Sequence, residues 1–140
     1  MQPVQQLEQL CQQFSIAILY VFGSRSQEAA RFVWEEHPMP DSTSDLDIGV
    51  LPARPLTARQ KVELMIALED LFNVNRVDLV LLPEADPFLA ANIVRGERLF
   101  ARDTYQADLY ELYVLRRAGD LIPLERERLA LIEENLTNDP

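Results

Sequence analysis

Ile16-Ala-Ile-Leu-Tyr-Val-Phe22 runs straight into Gly23-Ser24. Seven apolar residues, rich in β-branched and aromatic side chains and halted by a Gly-Ser pair, predict a strand buried on both faces that ends in a tight turn. This is the longest unbroken apolar run in the chain, and it falls far short of the ~20 residues that a membrane span requires. No transmembrane helix is expected. The opening MQPVQQLEQ has neither the basic region nor the apolar region of a secretory signal, so the expected location is the cytoplasm.

Outward from that strand, Val4, Leu7, Leu10, Cys11 and Phe14 recur at helical spacing and predict a first helix over 3–14. Ser24 is placed to cap a following helix. Over 31–44 the periodicity fails, and Pro38, Pro40, Asp41 and Ser42 mark a loop. Asp45-Leu-Asp-Ile-Gly-Val-Leu51 reads as a second strand. Thr57 caps a helix over 58–72 whose apolar face is Leu64, Ala67, Leu68, Leu71 and Phe72. Arg76-Val-Asp-Leu-Val-Leu-Leu82 gives a third strand, Asp86-Pro87 opens another helix and Gly96 stops it. A short edge strand over 97–100 and two helices over 104–118 and 123–136 complete the chain. Tyr105, Leu109, Leu112 and Tyr113 form one stripe on the first of these, expected to be core, with a partner-facing surface as the alternative. The fold class is α/β, a small mixed sheet covered by helices. Residues 1–100 are expected to form the main domain, and 101–140 a helical extension packed on it.

Composition narrows the function. With 140 residues, 48% apolar and 26% charged, the chain can build one globular core. The lone Cys11 excludes an internal disulfide and a cysteine zinc cluster, and a Ser-His-Asp triad would rest on His37 alone. Four scattered glycines make no G-x-G-x-x-G fingerprint. The single lysine, Lys61, lies in a helical pattern and makes no Walker A loop. A net charge of -10 repels a phosphate backbone, so long nucleic acids are not expected partners. It would favour a basic protein partner, although most of it reads as solvated surface.

The chemistry gathers at strand ends. Asp45 and Asp47, two apart on a predicted strand, point to one face ~6 to 7 Å apart. Asp78 sits near the start of the third strand, where a neighbouring position in the sheet brings it to the same place. Three carboxylates suit Mg²⁺, and paired ions would stabilise both attacking and leaving oxygens. Gly23-Ser24, between a strand and a helix, aims backbone N–H groups and a hydroxyl outward, and Arg25 adds a forked cation. With no basic residue adjacent to neutralise the acids, a metal-bound nucleoside triphosphate is the expected ligand.

Gly23-Ser24, Ser44-Asp45-Leu46-Asp47 and Asp78 resemble the motif set of the DNA-polymerase-β-like nucleotidyltransferase superfamily, over about residues 16 to 82. The short catalytic region and the tail Glu97-Arg-Leu-Phe-Ala-Arg-Asp with Leu115-Arg-Arg-Ala-Gly-Asp-Leu look like the minimal nucleotidyltransferase (MNT) antitoxins that pair with HEPN-domain ribonuclease toxins. The resemblance implies ATP-dependent transfer of AMP to a tyrosine hydroxyl of the toxin. Asp45 and Asp47 would bind two Mg²⁺ ions, with Asp78 completing the site and taking the proton. Ser24, with Gly23 and Arg25 beside it, would hold the nucleotide. A non-catalytic antitoxin acting by steric binding, and a transferase for a small-molecule hydroxyl, are the alternatives. One departure stands out: twenty residues separate Ser24 from Asp45, where the family has about ten and commonly an Ala-Arg-Gly run. Ser26-Gln27-Glu28 replaces that run, and Arg31 is a candidate second phosphate ligand. In this insertion Phe32 and Trp34 are expected to pack beneath the loop, with a partner contact as the alternative.

Overall fold

The computed structural model describes residues 1–137; the last three residues of the 101–140 extension lie outside the described residues. Helix α1 (Pro3–Gln13) leads into β1 (Ile16–Phe22), a 3₁₀ turn (Gly23–Arg25) and α2 (Ser26–Glu35). After an extended loop come β2 (Leu46–Pro52), α3 (Ala58–Phe72) and β3 (Val77–Leu81). A second 3₁₀ turn (Leu82–Glu84), α4 (Pro87–Val94), β4 (Glu97–Ala101) and α5 (Thr104–Thr137) follow.

The four strands form one mixed sheet in the order β3-β2-β1-β4. β1 runs antiparallel to both neighbours, whereas β2 and β3 are parallel and joined through α3. The central position of β1 explains its unbroken apolar run, because both of its faces are covered. A bulge between Ile16 and Ile18 shifts its register. Beyond it Leu19 and Val21 face one core, and Ile18, Tyr20 and Phe22 the other.

The first core lies under α1, α2 and α3, where Leu7, Cys11, Val33, Leu64, Leu68 and Phe72 meet the sheet. Thr57 caps α3 through the Gln60 N–H, and the Gln60 side chain returns the bond in a capping box. Leu64, Leu68 and Phe72 are fully buried, worth ~1.5 to 3 kcal/mol each in transfer free energy. The second core is thinner and joins α4 to the first turns of α5 through Ala90, Ala91, Ile93, Ala107, Val114 and Ala118. The Asp86 carboxylate caps α4 by accepting from the Phe88 and Leu89 N–H groups, with Pro87 in the first turn. Among the described residues no helix is long and apolar enough to cross a membrane.

Several expectations need correction. Ser24 does not cap α2; it lies inside the 3₁₀ turn, and α2 starts at Ser26 without a side-chain cap. That helix continues to Glu35, so it takes up part of the segment read as loop, and Glu36 ends it in the left-handed region. The two tail helices are one, α5, with Pro123 inside it. Proline removes a single backbone donor, whose acceptor would be the Gly119 carbonyl, and helices survive one such loss when the rest of the ladder holds. The Tyr105, Leu109, Leu112 and Tyr113 stripe is exposed, and Ala107, Val114 and Ala118 supply the buried face instead. Phe32 does pack inward, its ring 5.4 Å from that of Phe72. Trp34, in contrast, is 56% exposed.

Candidate active site

Register builds the site. Asp47 pairs with Phe22 on one side and with Asp78 on the other, so Phe22, Asp47 and Asp78 form a row across three strands. Partners in such a row point to the same face ~4.8 Å apart. Leu46, Ile48 and Val50 fill the first core, which leaves Asp47 and Gly49 on the α4 face. A Cβ at Gly49 would strike Ile93 of α4, so that helix lies directly on β2 one step up the strand from Asp47.

The Gly-Ser turn closes on the same row. Gly23 has a φ of +76°, in the left-handed region that favours glycine. A Cβ there would collide with Oδ2 of Asp47. The absent side chain therefore serves two ends: it lets the chain turn out of β1 and lets the Asp47 carboxylate stand against the turn. Gly23 and Ser24 are exposed beside it.

Electrostatics single out Asp47. Burial pushes its carboxyl above the usual carboxylate range, and the charges of Asp78 and Asp45 push it the same way. The three acids thus share one field, as the sequence spacing predicts. They do not, however, form a closed ligand set. Among the described residues no three His, Cys, Asp or Glu side chains are grouped so as to hold a metal ion. Asp45 lies just before β2, with an Oδ2 3.6 Å from Nε of Arg76. The expectation of acids without a basic neighbour is thereby corrected. Parallel pairing of Leu46 with Val77 brings the preceding residues, Asp45 and Arg76, alongside each other. Both side chains are well exposed, so this ion pair is weak and easily exchanged. In donor type the acids fit a hard divalent cation: carboxylate oxygens whose mutual repulsion a positive charge would relieve.

The other cation predicted for the site behaves differently. Arg25 is buried, and its guanidinium is spent on Glu28 and on two backbone carbonyls of the 36–45 loop. Arg31 is exposed on α2. His37 is exposed too, 3.9 Å from Glu35, and takes no part. Burial and the nearby Glu8 push the Cys11 thiol up to about 12, which makes it an inert core residue. A cavity of about 520 Å³ beside Ala17, Leu51, Pro52, Arg102 and Tyr110 lies at the opposite end of β1 and β2 from the acids.

A model of the polymerase beta nucleotidyltransferase family matches residues 5–105. The chain belongs to that family. The matched span carries Gly23, Ser24, Asp45, Asp47 and Asp78 of this nucleotidyltransferase domain, and it closes just inside α5. Among solved structures, the chain is similar to one from a toxin-antitoxin complex with AMP-PNP, at 24% identity and a TM-score of 0.67, over 95% of this chain and 98% of that one. It is also similar to a chain of the tri-AMPylated Shewanella oneidensis HEPN toxin in complex with MNT antitoxin, at 23% identity and a TM-score of 0.64, over 96% of each. At such identities the likeness is one of fold, and it includes the nucleotidyltransferase's long tail helix. The comparison with curated proteins found no match.

Proposed function

We propose that this nucleotidyltransferase is an antitoxin that transfers AMP from ATP to a hydroxyl, with tyrosine as the acceptor, on a HEPN-type ribonuclease partner and so silences it. The observation that carries the reading is the row that sets Asp47 and Asp78 side by side against the Gly23-Ser24 turn. The fold shared with a chain of the complex containing an AMPylated HEPN toxin supports the choice of partner and of AMP as the group transferred.

In this reading the Ser24 hydroxyl and the N–H groups of the turn hold phosphate oxygens. The acceptor hydroxyl bonds to the α-phosphorus as the bond from that phosphorus to the pyrophosphate oxygen breaks. Asp78, exposed on the edge strand, takes the hydroxyl proton, and pyrophosphate leaves with its electron pair. Asp45, Asp47 and Asp78 would hold Mg²⁺, two ions in this chemistry, which supplies positive charge to the phosphate oxygens when bound. Asp45 reaches that role by giving up Arg76.

The exposed row Leu109, Leu112 and Tyr113 on α5 supports the partner half of the proposal, because an apolar row of this kind on an otherwise acidic chain is a natural protein contact. It also favours a second reading, in which binding alone inhibits the toxin. Intact-mass measurement separates the two. Mixing both proteins with ATP and Mg²⁺ should add about 329 Da per AMP to the partner, and Asp47→Asn should abolish the shift while the fold persists. Equal inhibition without ATP, at unchanged mass, would establish the steric reading.

A further inference from the structure

We propose that Arg25 is a positioning residue, a buried clamp that fixes where the 36–45 loop delivers Asp45 and Asp47 to the site. Its place in the nucleotidyltransferase reading rests on the function proposed above; the clamp itself rests on geometry alone. Arg25 is only 4% exposed, so its charge is costly unless its donors are paired. Each of its three nitrogens is paired. Nε donates to Oε2 of Glu28 at 3.0 Å, Nη2 to the Pro40 carbonyl at 2.6 Å and Nη1 to the Ser44 carbonyl at 3.3 Å.

The identity of those carbonyls matters. The Ser44 carbonyl belongs to the peptide unit that joins Ser44 to Asp45, so its orientation sets the entry into β2. Pro40 lies four residues earlier, and gripping both at once spans the part of the loop that reaches the strand. Little else holds this stretch. The Ser44 N–H bonds the nearby Ser42 hydroxyl, and Met39 packs against the core. Asp41, Ser42 and Thr43 are exposed. Arg25 itself follows the Gly23-Ser24 turn, so one side chain ties the phosphate-facing turn to the approach of the acids. The twenty-residue separation between them then costs no precision, because the loop is cross-braced at its base.

A planar fork is needed for this task. Lysine carries its three donors on a single nitrogen, whereas each of these acceptors is met by a different nitrogen of the fork. Glu28 is the informative partner because it touches the guanidinium and neither carbonyl. A direct phosphate ligand would lose affinity on Arg25→Lys and be indifferent to Glu28→Gln. A clamp is loosened by both.

Amide hydrogen exchange over 41–47, read in the full chain without nucleotide, tests this. Arg25→Lys and Glu28→Gln should each speed exchange there, by about tenfold for the lysine variant, the effect of losing one charge-assisted hydrogen bond. Exchange in α3 should stay unchanged. Titration with AMP-PNP and Mg²⁺ follows, and both variants should weaken nucleotide binding, Glu28→Gln by severalfold, because each loosens the delivery of Asp45 and Asp47. Unchanged exchange over 41–47 in Glu28→Gln, with affinity lost in Arg25→Lys alone, would overturn the clamp and make Arg25 a nucleotide ligand. Should Arg25→Lys fail to fold, Glu28→Gln decides alone. Wild-type protein that binds no AMP-PNP would defeat the functional proposal and leave the exchange result to judge the clamp.

Discussion

Helices α3 and α5 both carry an apolar stripe at helical spacing, and the protein uses the two in opposite ways. In α3 the stripe of Leu64, Leu68 and Phe72 is wholly buried against the sheet. In α5 the stripe of Leu109, Leu112 and Tyr113 faces outward, and the helix is held by small residues, Ala107, Val114 and Ala118, together with a polar latch. In that latch the Tyr20 hydroxyl donates to Oε1 of Glu111 at 2.7 Å, and Arg98 donates to Glu111 at 3.0 Å and to Asp108 at 2.9 Å. Periodicity therefore reports that a helix has an apolar side. What covers that side depends on the sheet face available: α1, α2 and α3 fill one, and the short α4 leaves only a narrow strip of the other for α5.

The sharpest way to break this contrast is to weaken in turn what holds each helix to the sheet. Leu68→Ala should cost ~2 to 5 kcal/mol of stability, the range for emptying a packed leucine site, measured by chemical denaturation. Tyr20→Phe should cost ~1.5 to 3 kcal/mol by removing a hydrogen bond to a charged acceptor. Its loss should appear first as faster hydrogen exchange in the early turns of α5.

Asp47→Asn sharpens the contrast from the other side, since a buried-edge charge acts against the fold. The folded-state carboxyl lies above its ordinary value, so the native state binds more proton than the unfolded chain between those two values. Stability therefore falls as pH rises through that window. Without divalent cation, Asp47→Asn should flatten this part of the profile and melt at or above the wild-type temperature near neutral pH. A lower melting temperature there would show that the charge is already compensated.

The smallest effects are expected on the outer surfaces. Leu112→Ala and Trp34→Ala should each change stability by less than ~0.5 kcal/mol, as exposed positions do. Leu112→Ala should nonetheless weaken the complex with the HEPN-type partner, read by titration calorimetry. A stability loss comparable to that of Leu68→Ala would mean the α5 row belongs to the protein's own core.

Where local chemistry decides, the sequence was legible. The β1 run with its Gly-Ser stop, the Thr57 cap and face of α3, and the Asp86-Pro87 opening of α4 all appear as read. The Gly23, Asp47 and Asp78 grouping was legible too, because strand order and an Asp-x-Asp spacing suffice to place acids on one edge. Arg76 was missed as a neighbour of Asp45, although it stands two residues before Asp78, because only the parallel register of β2 and β3 aligns the two. The hydrogen-bond partners of Arg25 were illegible for a similar reason: two of its acceptors are backbone carbonyls fifteen and nineteen residues away, and carbonyls leave no mark in a sequence. Gly119 and Pro123 read as a break that the helix in fact absorbs.

The unbroken length of α5 has a consequence for how the molecule moves. At a rise of ~1.5 Å per residue, a 34-residue helix is roughly 51 Å long, whereas a chain of this size folded into a sphere has a radius of gyration of about 14 Å. Among the described residues beyond Ala118, none belongs to either core, and the helix projects as a rod. In solution the protein tumbles as an elongated body, slowly end over end and faster about its long axis. Bond vectors lying along the rod and bond vectors lying across it then report different rotational times from one rigid body.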